Sequence, residues 1–229
     1  RYGDDVRTID WNVTARTGEL QVKRYREERD LTVLLLVDLS ASTRFGSGVM
    51  TVHDLIAEVS SLFALAAARR DRVGAILFDE SLRAVIPPRL GWRHGLRVVR
   101  EVLGAVPSGK GTAFSDAVRA AGHLLHRRGI VIAVVDRSCP LPRRELLALS
   151  SRHEVFLVRA ADELSRTGLK GSRLPVIDAE TGRPGVVRSR PGETADRIPP
   201  GIDAVDLVTD TDYLPVVRAM LEKRERRVH

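Results

Sequence analysis

Short apolar runs alternate along this chain with longer stretches of helical periodicity. Thr32-Val-Leu-Leu-Leu-Val37 lies between Asp30 and Asp38, and a run apolar on both faces predicts a strand buried between two layers. Val52 to Arg70 then carries Leu55, Ile56, Val59, Leu62, Phe63 and Ala66 at the spacing of an amphipathic helix. Arg72–Phe78 predicts a second strand. Leu82–Ile86, entered through the turn Asp79-Glu80-Ser81 and stopped by Pro87-Pro88, predicts an antiparallel edge hairpin. His94–Leu103 predicts a short helix with Leu96, Val99 and Leu103 on one side, and a further helix is expected from Ala113 to Arg127. Gly129–Val135 predicts a third core strand that again ends in a carboxylate, Asp136. A helix over Leu141–Ser150 and a strand over Glu154–Val158 complete the regular part.

Beyond Ala160 the pattern thins. Leu174–Ile177 and Ala204–Val208 predict short strands, and Asp178–Pro200 is Gly-, Pro- and Arg-rich, as in a hairpin or mobile loop. Asp210-Thr-Asp212 opens a last helix with acids favourably placed at its N-terminus. Ahead of the first core strand, residues 1–30 hold the turn Gly3-Asp4-Asp5, the alternating stretch Leu20–Tyr25 and an apolar anchor, Trp11. The expected organisation is an N-terminal extension, 1–30, packing on a domain of residues 31–229, with 160–229 its less regular part. Alternating strands and helices predict an α/β fold, a mostly parallel sheet with helices on both faces and an antiparallel edge strand.

Composition narrows the function classes. The 229 residues suffice for a sizeable core, and 43% hydrophobic with 29% charged residues is ordinary for a globular protein. Aromatic residues are only 4%, too few for a platform that stacks single-stranded nucleic acid. The net charge of +7 comes largely from Arg interleaved with acids, so a solvated surface is expected, not a specific nucleic-acid site. One cysteine, Cys139, excludes an intrachain disulfide and a cysteine-rich zinc site. No apolar stretch is long enough to span a bilayer. A cytoplasmic location is expected, with membrane association open because the chain begins at Arg1 and residues upstream could carry an anchor.

Candidate chemistry gathers where the core strands end. Asp38-Leu-Ser40-Ala-Ser42 offers one carboxylate and two hydroxyls at alternate positions, which an extended chain points to one side. Strand–turn chemistry alone would also account for them, as caps and turn formers. In an open α/β sheet, however, ligands bind beyond the carboxyl ends of the strands. The loops after Val37 and Val135 open on one edge, and the turn Ser108-Gly-Lys-Gly-Thr112 must cross it to start its helix. Asp38, Ser40, Ser42, Thr112 and Asp136 are therefore expected to converge. An all-oxygen set suits a hard cation, Mg²⁺ or Mn²⁺, and neutral hydroxyls leave that ion electrophilic. Two other chemistries are weaker. Gly104-Ala-Val-Pro-Ser-Gly-Lys110-Gly111 approximates a phosphate loop, but Gly111 stands where a hydroxyl belongs and a helix, not a strand, is expected before it. His94, His123, His126 and Cys139 show no spacing of a nucleophile–base pair. A metal-dependent phosphoester hydrolase with Asp38 as nucleophile would want a second carboxylate where Ser40 stands.

At these residues the chain resembles a von Willebrand factor A domain with a metal-ion-dependent adhesion site. Tyr2-Gly-Asp-Asp-Val-Arg7-Thr-Ile-Asp-Trp11, Ala15-Arg16, Glu28-Arg29 and Asp38-Leu-Ser-Ala-Ser42 resemble the signature of the domain of unknown function 58 family, a bacterial branch of that fold. Phe45-Gly46, Asp71-Arg-Val-Gly74, Phe78, Pro88-Arg89, Gly111-Thr112 and Glu180-Thr-Gly182 fall where the family has them. The resemblance implies a Rossmann-like sheet, bound Mg²⁺ at Asp38, Ser40, Ser42, Thr112 and Asp136, and no catalytic residues. It implies an adaptor that works with an AAA+ ATPase of the MoxR type and grips an acidic residue of a client protein in remodelling or maturation. Two positions depart from the family: Thr43 follows the motif where Met is frequent, and Val135-Asp136-Arg137 replaces Ser-Asp-Phe. Arg137 would set a positive charge beside the ion, and the alternative it leaves is a metal-free interaction module of the same fold.

Overall fold

The computed structural model describes residues 31–109, 111–164, 173–177, 184–188 and 197–228, with side chains described in 31–109, 111–164 and 197–222. The expected extension over residues 1–30, its turn, its strand and Trp11, lies outside the described residues, as does Lys110.

Six strands form one sheet: β1 (Thr32–Asp38), β2 (Arg72–Phe78), β3 (Leu82–Arg89), β4 (Ile130–Asp136), β5 (Glu154–Ala161) and β8 (Asp203–Val208), in the order β3-β2-β1-β4-β5-β8. All neighbours are parallel except β2 and β3. The fold is thus the expected α/β one, with an antiparallel edge. β6 (Arg173–Ile177) and β7 (Pro184–Arg188) pair antiparallel as a separate two-stranded ladder, β7 lying in the Gly- and Pro-rich stretch.

Strand alternation builds two cores. Val33, Leu35 and Val37 of β1 enter one cluster, with α1 (Val52–Ala68), α2 (Trp92–Leu103) and α5 (Leu214–Val228) supplying Leu55, Ile56, Val98, Val102, Val217 and Met220. Leu34 and Leu36 enter the other, with Phe114, Val118, Leu146 and Leu149 from α3 (Phe114–Leu124) and α4 (Arg143–Ser150). Asp38 continues the parity of Leu34 and Leu36, toward the α3 side. A strand buried on both faces leaves its end as the place where polar side chains can meet water.

Two expectations are corrected, the ends of β3 and of α3, and the fold sets the inward face of α2. β3 does not stop at Pro87-Pro88 but runs to Arg89, because an edge strand needs no outward amide donors there. Helix α2 turns Gly95, Val98 and Val102 inward, leaving Leu96 and Leu103 42% and 59% exposed. Helix α3 ends at Leu124, so His126 stands outside it. Among the described residues no helix is long and apolar enough to cross a membrane.

Candidate metal centre

Five parallel strands bring their carboxyl ends to one edge of the sheet. Four of them end at or one residue before an aspartate: Asp79 on β2, Asp38 on β1, Asp136 on β4 and Asp162 on β5.

Asp38 is fully buried. Its Oδ1 accepts the Ser40 amide at 2.8 Å and its Oδ2 the Asp136 amide at 3.1 Å. Burial pushes its pKa up to about 6, against the Ser40 side chain and the two amides, which pull it down, and with help from the neighbouring Asp136 charge. A carboxylate oxygen can accept about two hydrogen bonds. Two backbone amides and the Ser40 side chain take three of its about four acceptor positions, so one remains.

The motif does not stay extended as alternation predicts. Ser40 forms an isolated parallel bridge with Ser108, and Ala41–Arg44 is a 3-10 turn. The turn still brings Ser40 Oγ and Ser42 Oγ to 3.1 Å. Thr43, where the family pattern differs, is fully buried and closes this turn, its amide and Oγ1 both donating to the Ser40 carbonyl. The residue thus shapes the loop that carries both serines.

Thr112 is placed by its neighbours. The Ala113 amide donates to the Asp79 carbonyl on β2, while Thr112 Oγ1 lies 3.8 Å from Cys139 Sγ in the loop after β4. The Thr112–Ala113 step thus has neighbours at the ends of β2 and β4, the two strands that flank β1. Asp136 Oδ1 accepts the Ser138 amide and hydroxyl at 2.8 and 2.9 Å. Its own amide on Asp38 ties the two aspartates into one unit. Arg137 turns elsewhere: its Nη1 pairs with Asp206 on β8 at 3.4 Å, reaching past β5, on the side of β4 opposite β1.

Asp79 and Asp162 carry no motif signal: Asp79-Glu-Ser reads as a turn, and Asp162 falls where the pattern thins. Both are buried, and both have a pKa below the ordinary value although burial alone would raise it. Asp79 is held down by Ser108, the Ser81 amide and Arg83; Asp162 by the Ser47 amide and hydroxyl, Thr209 and the Leu164 amide. They are braces with occupied oxygens. Only the accumulation of buried aspartates at strand ends could have pointed to them.

The donor set fits a hard divalent cation: two aspartates linked by the Asp136 backbone amide on the Asp38 carboxylate, that carboxylate buried with acceptor capacity left, and the Ser40 and Ser42 hydroxyls adjacent. Among the described residues there is no cluster of three or more His, Cys, Asp or Glu side chains able to hold a metal, so any ion here would rest on hydroxyl oxygens. The phosphate-loop alternative fails on topology, because α2 and not a strand precedes Gly104.

Comparison with solved structures finds the VWA domain of SpRpn10, with a TM-score of 0.51 at 12% identity over 82% of this chain and 94% of that one. The fold is therefore that of a von Willebrand factor A domain. The uncharacterized protein Rv1480 of Mycobacterium tuberculosis is 32% identical over 164 residues, 70% of this chain and 52% of the relative. The magnesium-chelatase 60 kDa subunit of Cereibacter sphaeroides is 24% identical over 217 residues, 91% of this chain and 34% of the subunit. The chain thus spans about half the length, or less, of these curated relatives. Residues 1–195 match the family described as Protein of unknown function DUF58, and the chain belongs to that family.

Proposed function

We propose that this chain is a non-catalytic interaction domain that takes a divalent cation, Mg²⁺ or Mn²⁺, at the β1–β4 end of its sheet and uses it to grip an acidic group on a partner protein. The observation that supports it best is Asp38: a carboxylate removed from water, with two amides and the Ser40 side chain as donors and an acceptor position left over, is costly unless a cation or proton completes it. Asp38 and Asp136 would supply the charge, Ser40, Ser42 and Thr112 neutral oxygens. An ion held mainly by hydroxyls keeps affinity for a further carboxylate. The charge of Arg137 is directed to Asp206, so the departure at that position does not argue for a metal-free module.

The partner we propose is an AAA+ ATPase of the MoxR type, with a client that presents the acidic residue. The family resemblance supports this, as does the likeness to a chelatase subunit, a protein that works within an assembly. Calorimetric titration with Mg²⁺ and Mn²⁺ tests the metal: heat of binding and a raised melting temperature are expected, both lost in Asp38→Ala. No response at millimolar metal would leave a metal-free module of the same fold. Turnover of a generic phosphoester that disappears in Asp38→Ala would instead make the chain a hydrolase.

A further inference from the structure

We infer that Asp79 is a positioning residue for the metal centre: it binds no ion itself but clamps both ends of the loop that presents Thr112. The inference rests on the metal reading above.

The clamp is visible in the bonds. Asp79 Oδ2 accepts Ser108 Oγ at 2.8 Å and Arg83 Nη1 at 2.7 Å. Its Oδ1 accepts the Ser81 amide at 3.0 Å and Ser81 Oγ at 3.4 Å. Four donors fill the carboxylate, which leaves no oxygen for a cation. Arg83 Nη1 also donates to Ser108 Oγ, closing a three-membered network. At the far end of the loop, the Asp79 carbonyl accepts the Ala113 amide. One residue therefore holds Ser108 with its side chain and Ala113 with its backbone, and Thr112 lies between them.

The loop is fixed from two further sides. The Ser108 amide donates to the Leu39 carbonyl at 2.9 Å, which seats the loop beside the Asp38–Ser42 turn. Gly109 adopts φ +84° and lies so close to Glu80 that a Cβ would come within 3.2 Å of the Glu80 amide nitrogen. A left-handed turn packed on the backbone beside Asp79 has little freedom to slide. Without the Asp79 side chain, Ser108 and Arg83 lose their common acceptor, and the loop keeps its main-chain ties, the Arg83–Ser108 and Thr112–Cys139 contacts and the hold of Arg44 on the Pro107 carbonyl. Outer groups that orient ligands in this way typically change metal affinity about 10- to 100-fold when removed.

A double-mutant cycle on the full chain separates positioning from general damage. Asp79→Asn and, as the milder variant, Ser108→Ala are each expected to weaken Mg²⁺ binding about tenfold by calorimetry. In a Thr112→Ala background the same substitutions should change the affinity less than about twofold, because the ligand they position is gone. In metal-free protein, exchange of the Ala113 amide should accelerate in both variants. Equal losses in both backgrounds would make Asp79 a purely structural residue and overturn the inference, as would unchanged affinity in Asp79→Asn and Ser108→Ala. If the unmodified chain takes up no Mg²⁺, the metal reading falls and this role with it. Binding that is normal in the parent, lost in Asp38→Ala and untouched at Asp79 sinks only the positioning role.

Discussion

Asp79, Asp38, Asp136 and Asp162 stand at the ends of four adjacent strands, yet their oxygens meet different surroundings. Asp38 has a folded pKa of about 6 against an ordinary value of 3.8, because burial disfavours its charge more than Ser40 and the two amides favour it. Between those values the folded chain binds more protons than the unfolded one, so this group makes stability fall as pH rises through the window. A two-unit gap corresponds to about 3 kcal/mol. His53 and His153, both lowered by burial first, act in the opposite direction as they lose protons, so the parent's curve alone cannot isolate Asp38. Its difference from Asp38→Asn can. Asn cannot accept both amides, which sets a constant offset, but the offset does not titrate. Urea unfolding of metal-free protein should show the parent losing about 1–3 kcal/mol relative to Asp38→Asn between pH 4 and pH 7. Saturating Mg²⁺ should abolish that slope by holding the carboxylate ionised. Asp38 and Asp136 were legible in the sequence because they stand at the ends of apolar runs. Asp79 and Asp162 were not, since a brace differs from a turn former only in what it meets across the fold.

Elements were legible to the extent that one periodicity dominated them. β1, β2 and β4 are apolar on both faces and fall within a residue of their expected bounds. Helix α2 shows the limit. Leu96, Val99 and Leu103 make as good a helical stripe as Gly95, Val98 and Val102, and hydropathy favours the former. The fold takes the latter because an ideal Cβ on Gly95 would lie 2.3 Å from the Ala68 Cβ of α1. Close approach of two helices, a tertiary fact, chose the face. Gly95→Ala therefore sets two effects against each other. Helix propensity gains about 1 kcal/mol from the methyl group, whereas overpacking at a tight crossing costs about 1–3 kcal/mol. Packing should win, lowering stability in urea by about 1 kcal/mol or more. Adding Ala68→Gly, which moves the methyl to the other helix, should recover part of the loss. A Gly95→Ala chain more stable than the parent would show that the helices separate freely.

At the scale of the molecule, the rim of the sheet is stitched from both sides of Asp38, and the second stitch makes its own prediction. Asp79 fastens the loop before α3. Asp162, beyond β4, fastens the loop that follows the Asp38–Ser42 motif: its oxygens accept the Ser47 amide at 2.9 Å and Ser47 Oγ at 2.7 Å, with Thr209 Oγ1 at 3.0 Å joining from the end of β8. Gly48 continues that seat, since a Cβ there would collide with the Asp210 carboxylate. The order of strands that makes this possible, with β5 and β8 beyond β4, was not readable locally, because sheet order depends on how crossovers pack and not on any one segment. Asp162→Ala would leave four donors without their acceptor, and a cost of about 2–4 kcal/mol is expected in urea unfolding. The pH dependence has the opposite sense to that of Asp38. Burial raises the Asp162 pKa, but Ser47, Thr209 and Leu164 outweigh it and hold it below 3.8. Its contribution is complete above the unfolded value and disappears as pH falls through the folded one. The gap between the parent and Asp162→Asn should thus be level above about pH 4 and close only in stronger acid. A gap that closes instead between pH 4 and pH 6 would mean that Asp162, like Asp38, is kept short of donors, and that the loop after the motif is free to move.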